Sequence, residues 1–150
     1  MKLFVGIDVS SEKLDVCFLT DDNQLSILSE ISVANDIEGA SFIRETILEF
    51  NNSYHFDQIF NNSYHFDQIV IGMESTSMYS FHPSMFFHED EKLKKLNTLV
   101  TIENPFRVKQ FSRMFDENKT DRNDALRIAD FLRIQRFTTT AFNTYSLSTY

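Results

Sequence analysis

The first 33 residues contain three strand-like segments joined by very short turns, and this spacing restricts the fold more than any other feature. Leu3–Val9 (LFVGIDV) is apolar and rich in β-branched residues, which predicts a buried strand. Leu14–Thr20 and Leu25–Val33 are also strand-like, and the turns SSEK and DDNQ separate the three segments. Because parallel strands need a long crossover connection, turns this short predict a three-stranded antiparallel meander.

The next elements are predicted as a helix and two strands. The helix ends near Phe50 and begins after Asn35 or Asp36, either of which can cap it. Its apolar side is formed by Ile37, Phe42, Ile43, Ile47 and Leu48. Strands are predicted at Gln68–Ser75 and at Leu96–Ile102, because both segments are short and strongly apolar.

Three further helices complete the pattern. The first spans about 77–88, where Pro83 is expected to kink or delay it. The second begins at Asn104 and Pro105, and the third covers KTDRNDALRIADFLRIQRF. The order β-β-β-α-β-α-β-α-α predicts an α/β domain, in which a mixed sheet that includes the antiparallel meander carries helices on both faces. This is the element order of a ribonuclease-H-like domain, although several α/β folds share it.

Residues 50–59 and 60–69 have the same sequence, FNNSYHFDQI. The second copy leads directly into the strand at Gln68, so the first copy is extra length in a helix-to-strand connection. Ten residues is too short a period, and two copies are too few, for a solenoid. We expect a surface excursion, with an added edge strand or an extension of the preceding helix as the alternatives.

The composition is acidic, with 14 Lys+Arg against 22 Asp+Glu, which argues against binding to nucleic acid by bulk electrostatics. Residues 107–136 are nevertheless locally basic. A single cysteine, Cys17, excludes an internal disulfide and a cysteine-based zinc cage, and we interpret it as a core residue, like Phe42, Phe111 and Phe131. No apolar run approaches the roughly 20 residues of a membrane span, so we expect no membrane partner.

Four carboxylates indicate a metal site. Asp8 lies within an otherwise apolar strand, where a carboxylate is costly unless it is paired, protonated or bound to a metal. Glu74 ends the other strongly apolar strand, and Asp121 and Asp124 are spaced to share one face at the start of a helix. Carboxylate oxygens suit Mg²⁺, and two such ions about 4 Å apart assist phosphodiester displacement. Taken singly, each acid also fits a solvated strand end or a helix cap.

Four segments occur in order along the chain, GIDVSSEKLDV, GMESTSMY, NPFRVKQF and KTDRNDALRIADF. Together they resemble the amino-terminal domain of transposases of the insertion sequence 110 family, which are DEDD-type mobile-element recombinases with a RuvC-like fold. The similarity runs from about residue 4 to residue 137, and the last segment is its most specific part. The acidic positions of the family correspond to Asp8, Glu74, Asp121 and Asp124.

The resemblance implies a function in DNA strand cleavage and exchange, with these four acids as catalytic and metal-binding residues and Mg²⁺ or Mn²⁺ as the cofactor. The implied partners are DNA, a structured guide RNA and, for the full-length protein, further copies of the same chain, in the cytoplasm of a bacterium or archaeon. We expect residues 1–136 to form the catalytic domain and residues 137–150 to begin a linker. Full-length relatives continue into a coiled coil and a domain with a serine nucleophile, so a fragment without them is not expected to complete strand exchange.

Several residues near the acids are candidates for contacts with nucleic acid, namely Arg107, Lys109, Arg113, Lys119, Thr120 and Arg122. Solvated helix charges are the alternative explanation for the basic members. Two other functions remain open. The chain fits a non-catalytic nucleic-acid-binding or regulatory remnant of a transposase. An actin-like ATPase is disfavoured, because such enzymes need glycine-rich phosphate loops and this chain has 3 glycines.

Overall fold

The structure, a computed structural model, describes residues 1–22, 26–52, 66–74, 78–115 and 124–134, without the side chains of residues 52 and 111–115. The strands are β1 (Lys2–Val9), β2 (Lys13–Thr20), β3 (Ile27–Ala34), β4 (Gln68–Glu74) and β5 (Thr98–Glu103). The helices are α1 (Ile37–Asn52), α2 (Phe81–Glu89), α3 (Glu91–Lys94), α4 (Pro105–Phe115) and α5 (Asp124–Ile134), and a 3₁₀ turn (Met78–Ser80) precedes α2.

The five strands form one mixed sheet in the order β3-β2-β1-β4-β5. The antiparallel meander predicted from the short turns is confirmed, since β1 pairs with β2 from Leu3 opposite Thr20 to Val9 opposite Leu14, and β2 pairs with β3. The strands β4 and β5 extend the sheet in parallel on the other side of β1. The carboxyl ends of β1, β4 and β5 therefore lie at one edge of the sheet.

Each face of the sheet carries its own hydrophobic core, so the prediction of helices on both faces is also confirmed. On one face, alternate strand residues such as Val5 and Ile71 pack with Ile43 and Ile47 of α1 and with Phe87 of α2. The opposite face packs against α5 through a second cluster. Its buried members are Phe4, Cys17, Leu19, Val70, Val108, Ala125, Ile128, Ala129, Phe131 and Leu132.

The helix α5 lies unusually close to β1. A Cβ atom at Gly6 would stand 2.4 Å from the backbone oxygen of Ala125 and 2.4 Å from the backbone nitrogen of Ala129. Only a glycine lets a helix backbone approach a strand so closely. This contact fixes the depth at which α5 sits on the sheet, and with it the position of the first residue of the helix, Asp124.

The starts of α1 and α2 agree with the sequence predictions. The cap of α1 is Asp36, whose Oδ1 accepts a hydrogen bond from the Gly39 N–H at 2.7 Å. Pro83 delays its helix as predicted, because α2 begins at Phe81 and the proline occupies the first turn, where its missing N–H is harmless.

One apolar residue of α1 was assigned to the wrong environment. Phe42 is 56% exposed, so the prediction of a core role for it is wrong, and Ile37, on the same apolar side of the helix, is 74% exposed. The sheet covers a narrower stripe of α1 than its apolar residues occupy. Cys17 and Phe131 are buried as predicted, whereas the side chain of Phe111 is outside the described part.

The duplicated segment is described only at its two ends. The helix α1 continues to Asn52, which is three residues into the first copy, and the second copy supplies the buried Phe66 and the start of β4. Residues 53–65 are outside the described residues, so the expected surface excursion stays a prediction.

None of the helices among the described residues is long and apolar enough to cross a membrane.

Candidate functional site

Asp8 and Glu74 lie side by side at the carboxyl ends of β1 and β4. The last pair in the parallel register of these strands is Ile7 with Met73, so the next residue on each strand is the acid. Because strand side chains alternate between the two faces, Asp8 shares its face with Gly6, which α5 covers. The same alternation puts Glu74 on this face. Both carboxyl groups therefore belong to the side of the sheet on which α5 packs.

Asp124 reaches the same place from the helix. It is the first residue of α5, which crosses β1 in contact with Gly6. A pocket of about 270 Å³ brings the three acids together. It is lined by Asp8, Glu74, Pro105, Val108, Lys109, Asp124 and Arg127. Three of the four acids named from the sequence thus come from three separate elements to one pocket.

These acids perturb one another electrostatically. Burial raises the pKa of Asp8, and the charges of Asp124 and Asp15 raise it further, against a lowering effect of Lys13. Burial also raises the pKa of Glu74, with Asp8 and Asp124 acting in the same direction. Negative charge is therefore concentrated in a place where it is unfavourable for the protein alone.

The raised pKa values make stability without a bound cation depend on pH. A carboxyl group with a higher pKa in the folded than in the unfolded protein binds protons more readily when folded. The protonated group contributes fully to stability at pH values below its ordinary pKa, which is 3.8 for Asp8 and 4.5 for Glu74. This contribution is lost as the pH rises through the folded-state pKa. At neutral pH, this pair opposes folding.

The donor set suits a hard divalent cation in its chemistry. Mg²⁺ prefers carboxylate oxygens, and a bound cation would offset both the burial and the repulsion that raise the pKa of Asp8 and Glu74. Within the described ranges, no three His, Cys, Asp or Glu side chains are arranged closely enough to hold a metal ion as they stand. Asp124 is exposed, and its Oδ1 lies 3.4 Å from Nη1 of Arg127. The fit therefore rests on donor chemistry and charge rather than on a preformed cage.

Four further candidate residues belong to the segment KTDRNDALRIADF, which begins before α5. Asp121, Lys119, Thr120 and Arg122 lie outside the described residues. The prediction that Asp121 and Asp124 share one helical face therefore stays a prediction, as do the roles assigned to the other three residues.

The basic residues of α4 have different surroundings. Lys109 is exposed and lines the pocket beside the acids, which suits a contact with phosphate. The guanidinium of Arg107 lies 5.8 Å from the ring centre of Phe131, so part of this side chain packs against α5. Arg113 lies further along α4, with its side chain outside the described part.

Two acids beside the site were not identified from the sequence. Asp15 stands opposite Asp8 in the register of β1 and β2 and lines a neighbouring groove of about 550 Å³. Glu103 stands opposite Glu74 in the register of β4 and β5 and is 3% exposed, and burial raises its pKa against the charge of Arg107. The predicted strand ended at Ile102, although an acid directly after an apolar strand was the signal that had singled out Glu74.

The family model of the DEDD-type insertion sequence 110 transposases, described as "Transposase", matches residues 5–148. The chain belongs to this transposase family. The resemblance seen in the sequence motifs is therefore confirmed, and the assignment argues against an actin-like ATPase. No curated protein sequence is significantly similar to this family member.

A solved structure supports the RuvC-like fold of this transposase family member. The chain is similar to "T. thermophilus RuvC in complex with Holliday junction substrate", with a TM-score of 0.52 and 14% sequence identity, over 95% of this chain and 100% of that chain. A second structure, "Thermus thermophilus RuvC structure", gives a TM-score of 0.49 and 14% identity over 93% of this chain and 99% of that chain. At this level of identity, the first similarity confirms the fold alone.

Proposed function

We propose that this chain is the metal-dependent DNA-cleaving domain of its transposase, with Asp8, Glu74, Asp121 and Asp124 as its metal-binding and catalytic acids. The observation that carries the proposal is the convergence of Asp8, Glu74 and Asp124 on one pocket, where burial, and after it the neighbouring negative charges, raise the pKa of the first two. Such a cluster gives nothing to the stability of the fold, and perturbed carboxylates in a cleft are typical of functional sites.

The acids have different roles in the proposed site. Asp8 and Glu74 are held by hydrogen-bonded strands, so they supply oxygen ligands at fixed positions. Asp124 is exposed at the amino terminus of α5, so its carboxylate is accessible to a cation from the solvent side. A divalent cation held by these groups would polarise the phosphate and would lower the pKa of its bound water, which is the chemistry that phosphodiester cleavage needs.

The basic residues beside the acids bind the substrate in this proposal. Lys109 and Arg127 line the pocket together with the acids, which puts positive charge where phosphate groups of DNA would approach the proposed metal site. We assign the same kind of contact to Arg107, Arg113, Lys119, Thr120 and Arg122. DNA is the proposed substrate, and a synthetic four-way DNA junction is the first form to test, since the similar RuvC structure is described as a complex with a Holliday junction.

Metal binding is tested by thermal unfolding with and without Mn²⁺. A cation at 100 times its dissociation constant stabilises a one-site protein by about 2.7 kcal/mol, or roughly 8 °C for a chain of this size. We expect Asp8→Asn to abolish this Mn²⁺-dependent rise in melting temperature. Asp15→Asn is the matched control, because it removes the same charge from the adjacent strand and should preserve most of the rise.

Cleavage of a labelled four-way junction in Mn²⁺ is the second measurement. Wild type and Asp15→Asn should cut the junction, and Asp8→Asn should bind it without cutting. Absence of any effect of Mn²⁺ on the melting of the wild type would overturn the metal site. Junction binding by the wild type, without cleavage in any divalent cation, would instead support a non-catalytic nucleic-acid-binding remnant.

The proposal also includes the finer features that the family resemblance implies. These are a structured guide RNA, a homo-oligomer formed by the full-length chain, a cytoplasmic location, and a division into a catalytic domain at residues 1–136 and the start of a linker at residues 137–150. Binding of RNA with and without a DNA junction, measured by mobility shift, tests the first of these features.

A further inference from the structure

A single side chain links the segments that follow the two acidic strands. The amide Nδ2 of Asn35 donates hydrogen bonds to the carbonyl oxygens of Ser10, at 2.8 Å, and Tyr79, at 3.1 Å. Ser10 follows β1 directly, two residues after Asp8, and Tyr79 lies five residues after Glu74. Asn35 therefore connects the chain beyond Asp8 with the chain beyond Glu74.

This link lies where β1 and β4 stop pairing with each other. The parallel register of β1 and β4 has Ile7 with Met73 as its last pair, one residue before each acid. The amide of Asn35 spans the gap between the two chain segments beyond that point. Asp8 still pairs with Asp15 of β2 and Glu74 with Glu103 of β5, so without this link the separation of the two acids depends on two different ladders near their ends, where a ladder opens most easily.

The support for Asn35 is itself well fixed. Its backbone N–H donates to the carbonyl oxygen of Glu12 at 3.0 Å, which ties it to the turn between β1 and β2. Within that turn, the Ser10 N–H donates to the carbonyl oxygen of Lys13 at 3.0 Å, and the Lys13 N–H donates to Ser10 Oγ at 3.2 Å. Asn35 thus links the segment at Tyr79 to a turn that has hydrogen bonds of its own.

We propose that Asn35 is a positioning residue for the acidic site, which sets the separation of Asp8 and Glu74 through the two carbonyl groups that its amide binds. It touches neither acid, so it acts through the backbone. This inference rests on the proposed metal-dependent function. Groups that orient metal ligands from outside the site commonly change metal affinity about 10-fold to 100-fold when they are removed.

The test compares variants that remove hydrogen bonds from a side-chain amide to backbone carbonyl groups, either near the acidic site or far from it. Asn35→Ala removes the two hydrogen bonds. Asn35→Asp keeps the shape, but its ionised carboxylate cannot donate to a carbonyl oxygen. The matched control is Asn97→Gly, because Asn97 Nδ2 donates to the carbonyl oxygen of Asp67 at 2.8 Å, at the other end of β4. Glycine suits the φ of 56° at that position.

The first readout is the Mn²⁺ dissociation constant, measured from the electron paramagnetic resonance signal of free Mn²⁺. Both Asn35 variants are expected to bind Mn²⁺ about 10-fold more weakly, and Asn97→Gly is expected to bind as the wild type does. The result for Asn35→Asp is decisive, because an added negative charge alone would strengthen cation binding. Unchanged or tighter binding by both Asn35 variants overturns the inference while the proposed function stands.

The second readout needs no metal. Amide hydrogen exchange should accelerate about 10-fold at Asp8 and Glu74 in Asn35→Ala, with no change at Val5 and Ile71 in the middle of the same strands. If the wild type binds no Mn²⁺, the proposed function fails, and the exchange rates still decide whether Asn35 holds the strand ends. Equal acceleration along both strands would show a general loss of stability and would overturn the positioning role.

Discussion

Replacing Gly6 by alanine is expected to lift α5 from the sheet. The added Cβ atom would stand 2.4 Å from backbone atoms of Ala125 and Ala129, and real Cβ atoms essentially never come under 3.0 Å from such atoms. The helix or the strand therefore has to move by about 0.6 Å. Backbone atoms within a helix cannot rotate away individually, so the whole helix shifts.

The cost follows from the side chains that α5 buries. Ile128, Phe131 and Leu132 are each 1% exposed, and burial of such a side chain is worth about 2 kcal/mol. A gap of about 0.5–1 Å forfeits a quarter to a half of the attraction between packed atoms. The loss is then roughly 1.5–3 kcal/mol, reduced by about 0.5 kcal/mol because alanine suits a strand better than glycine. We expect a net loss of about 2 kcal/mol.

Gly72 provides a matched control within the same sheet. It pairs with Gly6 in the register of β1 and β4, but an added Cβ would meet the terminal methyl groups of Leu132 at 2.6 Å and the Thr101 hydroxyl at 2.9 Å. These are side-chain ends that can rotate. Gly72→Ala is therefore expected to cost about 1 kcal/mol for the crowding, less the same gain of about 0.5 kcal/mol from replacing a strand glycine, so the net change should stay below about 1 kcal/mol.

Urea unfolding followed by circular dichroism measures both variants. Gly6→Ala should lower the transition midpoint with little change in the slope, and Gly72→Ala should stay close to the wild type. Equal effects of the two substitutions would refute the reasoning, because both add the same methyl group and differ only in what it meets. A loss in Gly6→Ala below about 0.5 kcal/mol would show that α5 tolerates the displacement.

Three further predictions concern charge, the thiol and the duplicated segment. Without metal, Asp8→Asn should be more stable than the wild type at neutral pH. Urea titrations should show that this difference in stability shrinks as the pH falls towards 3.8, the ordinary pKa of the carboxyl group. A difference that grows on acidification would contradict the raised pKa of Asp8. Burial raises the pKa of Cys17 to about 12, so a thiol reagent should label it far more slowly in the native protein than in urea, and equal rates would show that the second core is open. Deletion of residues 50–59 should leave the melting temperature within about 3 °C of the wild type, because loop length changes stability only weakly; a large fall would assign a structural role to the extra length.

The sequence predicted the sheet well where the signals were local. Apolar strands separated by four-residue turns leave little choice but an antiparallel meander, and this was found from β1 to β3. Asp8 and Glu74 were also placed correctly as acids at the ends of strands, since a carboxylate stands out in an apolar segment. Their approach to Asp124 follows from the packing of α5 on Gly6, which no local pattern reveals.

The errors arose where distant segments decide the environment. Asp15 and Glu103 became neighbours of Asp8 and Glu74 only through the pairing of strands, and periodicity does not show which residues will stand opposite each other. Phe42 was assigned to the core because helical spacing identifies an apolar side without its buried width. Asn35 looked like a cap, and its two long-range hydrogen bonds have no signature in the sequence.

The two described ends of the duplicated segment bear on how the chain accommodates its extra length. Phe50 of the first copy packs edge-to-face on Phe18 at 5.5 Å, whereas Phe66 of the second copy is buried and the Asp67 carboxylate binds the amino-terminal ammonium at 2.8 Å. One copy of FNNSYHFDQI contains residues equivalent to all of these anchors, in the same order. We therefore expect a reversion that restores a single copy to keep the same anchors, in which case natural selection on the fold would have little reason to distinguish the two lengths.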